Sequence, residues 1–518
     1  MITPIILRLR QRVLKGDRAT FITGLTSGAF ASLVSIVSAL ISVKISLSYF
    51  GGTYYGVIVA INALVAVISL LNLGLPNIIT GIGSQVYTNE NVSYLLRRLV
   101  PPYLIYLIAI VLVYLGFQDA IHSAVASSVL KDIPLVEASQ ALTWAFWTLA
   151  CTMFFSLFSS AFYALHKLAL FNLYQALSAI IPLVAILVIR LQGGNLVGFF
   201  YISFWLSLFI GTTSLLSYFV RYYRKTDPED ARTNFRFGWR NIIATGIATL
   251  SLVFISVVYN RVDPLIISFF RDSQVLVRYS LVFKTIAFEI VFYGLFLGPI
   301  SPLFAKWFAA GNWAKIKNSY TVLIYFMAII GGGIALFNLL FAKLVIDYWV
   351  GKGQFAGQAV LIFLSIFIYL YAIYTSNYIV YSSFNVKRKI TIFTSFIEPS
   401  AKLGSTYFLT RSFGIGGTAA SVALVAFAFS SWISPLMLYW YSDKHIKPDY
   451  AYVIKHMFFL VIPFGIISCL PVQNYLPPII KVAASLTLLC LYLILSWLLI
   501  ELPRRREVID TIRSYREL

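Results

Sequence analysis

Residues 49–83 have the sequence YFGGTYYGVIVAINALVAVISLLNLGLPNIITGIG. This stretch contains no Lys, Arg, Asp or Glu, and apolar side chains predominate after its Gly-Gly pair. About 20 such residues are enough to cross a hydrocarbon layer about 30 Å thick as a helix. A strand of a membrane β-barrel would instead alternate apolar and polar residues over about 10 positions. The stretch therefore predicts a membrane-spanning helix that follows a tight turn.

Similar apolar runs recur along the whole chain of 518 residues, of which 60% are hydrophobic and only 11% are charged. A soluble core could not cover this much apolar surface, so lipid must cover the rest. We therefore predict an all-α integral membrane protein with about 14 transmembrane helices. The predicted spans cover roughly residues 20–48, 54–86, 98–117, 138–165, 168–190, 195–220, 241–270, 275–304, 319–346, 357–384, 390–411, 415–441, 451–470 and 476–500.

The basic residues indicate the orientation of the chain. The net charge of +21 is not gathered on one face, as nucleic-acid binding would require, because its clusters fall between every second pair of apolar runs. By the positive-inside rule this alternation places both the N and C termini in the cytoplasm. We expect no nucleic-acid partner.

Features of the first half of the chain return about 220 residues later. Tyr49 corresponds to Phe269, and Arg97 corresponds to Lys317. Further pairs are His166 with Lys387, Arg190 with Arg411, and Gly193 with Gly414. Six spans separate each landmark from its copy, and an even number gives both halves the same orientation, as in a parallel repeat. Accidental matches between regularly spaced loops are the alternative.

The repeat predicts two six-helix lobes around a central cavity, an architecture typical of transporters. The N-lobe would cover residues 1–230 with spans one to six, and the C-lobe residues 231–450 with spans seven to twelve. Residues 451–518 would add spans thirteen and fourteen and a basic cytoplasmic tail.

Three segments resemble one known family. They are residues 49–83, with an interruption at Asn72, residues 263–284, which begin DPLIISFF, and residues 413–421, FGIGGTAAS. In this order and spacing they resemble the polysaccharide-export (Wzx-type) flippases of the multidrug/oligosaccharidyl-lipid/polysaccharide (MOP) exporter superfamily. The pair of helices after span twelve is similar to that of lipid II flippases, where such helices border a groove for the lipid tail.

The resemblance implies a flippase, not an enzyme, in the inner membrane of a bacterium. Its cargo would be an undecaprenyl-pyrophosphate-linked oligosaccharide repeat unit of O-antigen, capsule or exopolysaccharide, moved from the cytoplasmic to the outer leaflet by alternating access. Expected partners are this polyprenyl-linked glycan, membrane lipid, and a polysaccharide polymerase or assembly protein.

Basic residues within the predicted spans are candidates for binding the anionic part of such a cargo. A lone charge at the bilayer centre costs about 2.5–3.5 kcal/mol or more, so each needs a partner or a water-filled cavity. The candidate substrate-binding residues, in order of preference, are Lys284, Arg261, Lys402, Lys44 and Arg278. Lys402 has a local alternative, because Glu398 precedes it by four residues and favours a helical ion pair. Arg278 lies near an outer end and can reach the interface by snorkelling.

Acidic and helix-breaking residues within the spans suggest two further roles. Candidates for coupling to Na⁺ or H⁺ are Asp263, Glu289 and Glu398. Candidates for a hinge in span two are Asn72, Gly74 and Pro76, although a plain kink is the alternative. We also predict a helix break before Pro264.

Two other functional classes compete with the flippase. A MATE-like cation or drug antiporter of the same superfamily would present carboxylates to its cavity, whereas bases outnumber acids here. A membrane-bound polysaccharide polymerase or glycosyltransferase would need a sizeable loop or acidic site, and the longest outer loop is residues 118–137. No metal-ligand cluster or phosphate-binding glycine loop is recognisable, so we expect no cofactor.

Overall fold

The computed structural model describes residues 3–86, 89–223, 239–297, 300–382, 388–442, 444–446, 450–469 and 478–500. Within these ranges the regular structure is all helical, as predicted. The α-helices are α1 (Thr3–Ile68), α2 (Leu75–Val86), α3 (Asn89–Gly116), α4 (Gln118–Ser128), α5 (Leu135–Ala164), α6 (Leu168–Gln192), α7 (Leu196–Arg221), α8 (Trp239–Phe270), α9 (Ser273–Leu297), α10 (Ser301–Ala309), α11 (Trp313–Trp349), α12 (Gln358–Ser382), α13 (Arg388–Val425), α14 (Ser431–Tyr441), α15 (Tyr450–His456), α16 (Ile462–Cys469) and α17 (Pro478–Leu499). A 3-10 turn at Ser69–Asn72 and π-helical turns at Ala426–Ser430 and Met457–Val461 connect neighbouring helices.

Eleven helical segments among the described residues are long and apolar enough to cross a membrane. Two of them, Thr26–Asn72 and Phe396–Tyr441, have 47 and 46 residues, about twice what one crossing requires. Each is interrupted by a glycine with non-helical backbone angles: Gly51 has φ 75° and ψ 177°, and Gly414 has φ 62° and ψ −145°. These angles are accessible essentially to glycine alone. Counting each segment as two crossings, together with the 25-residue helix α9, gives the predicted fourteen.

The chain divides into two compact units, residues 1–274 and 275–518. In unit 1, α1 packs mainly on α6 and α8, and α5 packs on α7 and α2. Aromatic rings fill its core, where Phe162 stacks on Tyr174 at 5.5 Å between ring centroids. The buried hydroxyl groups of Ser93 and Tyr218 lie 2.9 Å apart. The buried polar groups of this core therefore bond each other.

In unit 2, α11 packs on α12, and α12 packs on α13 and α14. The last helix, α17, packs on α11. A small apolar cluster holds these helices together and includes Leu336, Phe464 and Tyr492. The division at residues 230 and 450 stays a prediction, as does the side of the membrane on which each terminus lies. Residues 501–518, the predicted basic tail, lie outside the described residues.

One pair of glycines in the predicted repeat shares an unusual backbone angle. Gly193, which follows α6, has φ 68°, and Gly414 has φ 62°, so both have a positive φ, although their ψ angles of 30° and −145° differ. Lys387, the landmark that corresponds to His166, lies outside the described residues. Two details differ from expectation. The predicted break before Pro264 is wrong, because α8 continues through this proline. Residues 118–137, predicted to be a loop, contain the 11-residue helix α4.

Candidate functional site

The candidate charges of unit 1 lie on α1 and α8. Lys44 is exposed, on the same face of α1 as the exposed side chains of Val37 and Ile41. Arg261 is also exposed, whereas Asp263, two residues further along α8, is 1% exposed. Because residues two apart point in different directions on a helix, Arg261 and Asp263 occupy different surroundings.

The predicted interruption in span two is present. The 3-10 turn Ser69–Asn72 is followed by two left-handed residues, Leu73 with φ 53° and Gly74 with φ 66°. Pro76 lies in the first turn of α2, where its missing N–H costs no helical hydrogen bond. The hydroxyl of Tyr103 donates to Asn72 Oδ1 at 2.6 Å and anchors the break to α3. The hinge role stays a prediction.

The first group of candidate charges in unit 2 lies on α9. Arg278 is exposed and Lys284 is half-buried. The half-buried Glu289 accepts a hydrogen bond from Asn338 Nδ2 of α11 at 2.9 Å. Tyr293, one turn beyond Glu289, is fully buried, and its hydroxyl makes no hydrogen bond to the described residues. Sequence analysis missed Asn338, which lies 49 residues from its partner.

The second group lies on α13. Glu398 accepts a hydrogen bond from the hydroxyl of Ser430 in the π-helical turn. Lys402, one turn beyond Glu398, is only 1% exposed. A side chain enclosed to this degree contacts cargo only in another conformation of the protein, which favours the packing alternative for Lys402 in this one.

A polar cavity of about 350 Å³ lies inside unit 1, between α1, α5, α6 and α7. Sequence analysis missed it, although a signal was present: Ser203, Ser207, Gly211 and Ser214 repeat at helical spacing on one face of α7. The side chains of its wall that carry hydroxyl or amide groups are Asn62, Thr148, Thr152, Ser156, Ser159, Tyr174, Gln175, Ser178, Ser203, Ser207 and Ser214. None of the described residues that line it is charged.

An apolar cavity of about 580 Å³ lies inside unit 2. Side chains from α11, α12 and the segment 457–469 form its wall, including Leu336, Ile366 and Ile466. Gly465 also lines it, and a methyl group added there would contact Leu339 at an ordinary 3.7 Å. This cavity therefore borders the first of the two helices that follow span twelve.

His456 joins these added helices to the rest of unit 2. It is fully buried, and its Nδ1 lies 3.3 Å from the Tyr369 hydroxyl of α12. Its Nε2 lies 3.1 Å from the hydroxyl groups of both Tyr492 and Ser496 on α17. Tyr492 also donates to the carbonyl of Ile329 on α11 at 3.2 Å. One histidine thus connects three helices through hydroxyl partners.

Helix α4 carries a second buried histidine, His122, outside the apolar segments that are long enough to cross a membrane. Its Nε2 lies 2.9 Å from the hydroxyl of Tyr114. Burial lowers the pKa of His122 below its usual 6.5, and nearby Asp119 acts in the opposite direction to a smaller extent. His122 is therefore part of the packing of this helix on the end of α3.

No family model and no curated protein matches this chain in sequence. Solved structures match its fold. The lipid II flippase MurJ in an inward closed conformation superposes with a TM-score of 0.65 at 14% identity, over 90% of this chain and 97% of that chain. A multidrug resistance MATE family transporter of the MOP superfamily superposes in its outward-facing conformation with a TM-score of 0.54 at 13% identity, over 82% of this chain and 96% of that chain. An inward-facing conformation of such a transporter gives 0.53 at 15% identity, over 82% and 99%. The chain therefore has the fold of these MOP superfamily proteins.

Proposed function

We propose that the protein is a flippase of the Wzx type, in the inner membrane of a bacterium. Its cargo is an undecaprenyl-pyrophosphate-linked oligosaccharide repeat unit of O-antigen, capsule or exopolysaccharide, which it moves to the outer leaflet by alternating access. The observation that carries the proposal is the likeness to a lipid II flippase, which extends over 90% of the chain, compared with 82% for the MATE transporters.

The apolar cavity of unit 2 supports a lipid-linked cargo. It has room for a segment of hydrocarbon chain, and its wall is almost free of polar groups. A polyprenyl segment would enter it from lipid, and an apolar wall accepts such a chain without the cost of contact with unpaired polar groups. A small hydrophilic substrate would gain nothing from such a surface.

The basic side chains within the spans are the groups proposed to bind the pyrophosphate. Arg261 and Arg278 are exposed and Lys284 is half-buried in this conformation. Charge-assisted hydrogen bonds from such groups hold phosphate oxygens more strongly than neutral donors do. Lys44 is the fourth candidate and is exposed, and Lys402 would join the set only after a conformational change.

The test begins with deletion of the gene and analysis of the lipid fraction. We expect a lipid-linked oligosaccharide to accumulate on the inner leaflet, and complementation with the intact gene should clear it. Complementation with Lys284→Glu or Arg261→Glu should leave most of it accumulated, because a carboxylate repels the pyrophosphate. Lys343→Glu, an exposed lysine near the end of a span, is the matched control and should clear the intermediate. Full clearance by both charge-reversed variants at normal expression would refute the proposed role of these basic residues in binding the pyrophosphate.

A MATE-like cation antiporter is the second candidate function. It is favoured by the carboxylates, because Asp263 is buried and Glu289 is held by Asn338, as a site for Na⁺ or H⁺ would require. Efflux of an organic cation from proteoliposomes, with the Na⁺ and H⁺ gradients collapsed in turn, distinguishes this function and also identifies any ion that drives flipping. A polymerase or glycosyltransferase is the least supported alternative. A polysaccharide polymerase or assembly protein is instead an expected partner.

A further inference from the structure

The polar cavity of unit 1 has a closed end and an accessible end. Its deep wall is formed by α7, where Ser203, Ser207 and Ser214 are 8%, 6% and 3% exposed. Its accessible wall carries the exposed side chains of Asn62 and Gln175, among others. Its volume is about 350 Å³. This size suits a monosaccharide or a short glycan segment.

The hydroxyl groups of the wall present hydrogen-bond acceptors to this space. Those of Ser203, Thr148 and Ser156 each donate their hydrogen to a backbone carbonyl of their own helix, at 2.7, 2.8 and 2.6 Å. A hydroxyl has only one hydrogen, so the oxygen lone pairs remain free to accept. Ser214 Oγ is buried and makes no hydrogen bond to the described residues. The cavity therefore matches a ligand that is rich in hydrogen-bond donors.

The absence of charge from the described lining residues narrows the class of ligand. An organic cation or a phosphate would lose its hydration there and meet no opposite charge. A neutral polyol loses less and regains hydrogen bonds from the serine and threonine oxygens. Phe155 and Phe199 also line the cavity, and aromatic rings can contact the C–H groups of a sugar ring.

We propose that this cavity is a binding site for neutral sugar residues, and that it receives part of the glycan while the pyrophosphate is held elsewhere. This inference rests on the proposed flippase function. It assigns recognition of the glycan to uncharged residues of α5, α6 and α7. These residues are separate from the basic candidates for binding the pyrophosphate.

Cysteine protection in native membranes tests the site without knowledge of the sugar composition. Cys151, Cys469 and Cys490 are first replaced by alanine. Ser178→Cys at the accessible wall and Ser207→Cys at the deep wall are then labelled with a polar maleimide in broken membranes. The control is Thr212→Cys, which lies on α7 but outside the cavity. Each labelling rate is compared between a strain that makes the lipid-linked cargo and one in which its synthesis is blocked at the first step.

We expect the cargo to slow labelling at Ser178→Cys and Ser207→Cys at least threefold and to leave Thr212→Cys unchanged. Equal rates in the two strains would show a cavity that holds only water and would overturn the inference. The inference would also be overturned if the maleimide labelled neither lining cysteine, because the site would then be closed to polar ligands. If deletion of the gene causes the cargo to accumulate and yet the protection is absent, the flippase function stands and only the sugar site falls.

A pair of matched substitutions adds a functional measurement. Ser207→Leu fills the cavity and removes an acceptor, whereas Thr212→Leu makes the same change on the other side of α7. We expect Ser207→Leu to reduce clearance of the accumulated cargo at least tenfold at normal membrane levels, and Thr212→Leu to retain it. Equal clearance by the two variants would contradict a role of the cavity in recognition.

Discussion

The two units use their interior polar groups differently. In unit 1, hydroxyl and amide side chains line an open cavity of about 350 Å³. In unit 2, the larger cavity of about 580 Å³ is apolar, and the polar side chains next to it bond each other around His456. Asn377 forms a second such cluster, with Tyr320 at 2.7 Å and Tyr450 at 3.0 Å. The cavity of unit 1 is thus lined by many hydroxyl and amide groups, whereas the cavity of unit 2 has an almost entirely apolar wall with hydrogen-bonded polar clusters beside it.

This difference corresponds to the two halves of an amphipathic cargo. A glycan needs hydrogen-bonding partners, whereas a polyprenyl tail needs only apolar surface. The comparison leads to a simple rule: replacing polar groups of the His456 cluster should reduce stability, whereas replacing those of the unit 1 cavity should reduce transport and leave stability intact.

The largest expected effect on stability is that of His456→Leu. The substitution leaves the buried hydroxyl group of Ser496 without its histidine partner, at a cost of about 1–3 kcal/mol for an unsatisfied group, whereas the Tyr369 hydroxyl keeps its bond to the Val453 carbonyl at 3.3 Å. We expect the melting temperature of the purified protein to fall by several degrees. His445→Leu, at an exposed histidine that stacks on Trp313, is the matched control and should change it little. Equal melting temperatures for the two variants would contradict the structural role of His456.

In unit 1, substitutions of polar residues that line the cavity should reduce transport strongly and stability little. Asn62→Leu and Gln175→Leu each remove a polar side chain from the accessible wall of the cavity, and both residues are exposed. We expect clearance of the lipid-linked cargo to fall about tenfold for each, since a lost hydrogen bond to ligand costs about 1 kcal/mol or more. The melting temperature should stay within about one degree of the parent, because exposed substitutions change stability by less than about 0.5 kcal/mol. A large loss of stability with normal clearance would break the comparison.

The sequence predicted those features that depend on local chemistry. Apolar runs determined the spans, and the turn glycine Gly51 and the break at Asn72 follow from residues that helices disfavour. The prediction failed at Pro264, because a transmembrane helix tolerates a proline whose freed carbonyl finds other partners. The small polar face of α7 is visible in the sequence, but its partners in the polar cavity are not, because Ser207 meets the opposite wall only when α5, α6 and α7 pack. The bond between Glu289 and Asn338 likewise joins two helices.

A smaller effect is expected when the apolar cavity of unit 2 is partly filled. Gly465→Leu adds apolar atoms where a new methyl group has ordinary contact distances. Each buried methylene contributes about 0.8 kcal/mol, so stability should be unchanged or slightly raised. Transport should fall a fewfold if the cavity receives the lipid tail. Gly465→Ala is the control, because one added carbon leaves most of the volume free. Unchanged clearance by both variants would assign the cavity to packing alone.

The smallest expected effect concerns the second buried histidine, His122, which bonds Tyr114 in unit 1. Burial lowers its pKa below the usual 6.5. The folded state therefore binds fewer protons than the unfolded state between the two pKa values. Its contribution to stability is complete above about pH 6.5 and declines as the pH falls towards the folded-state pKa.

The rate of hydrogen exchange of α4, corrected for the intrinsic rate at each pH, should therefore rise as the pH is lowered from about 7.5 to about 5.5. The reason is that α4 opens more readily when protonation of His122 is favoured. The variant His122→Gln should lose this dependence because it has no group that titrates there. Helix α6, which has no histidine, is the internal control. Equal pH dependence in the parent and the variant would show that His122 is not held neutral by its packing. Loss of the dependence in the variant alone would show that His122, like His456, is a structural group that takes no part in binding cargo. The uncharged polar groups proposed to bind cargo in unit 1 would then be those of the open cavity.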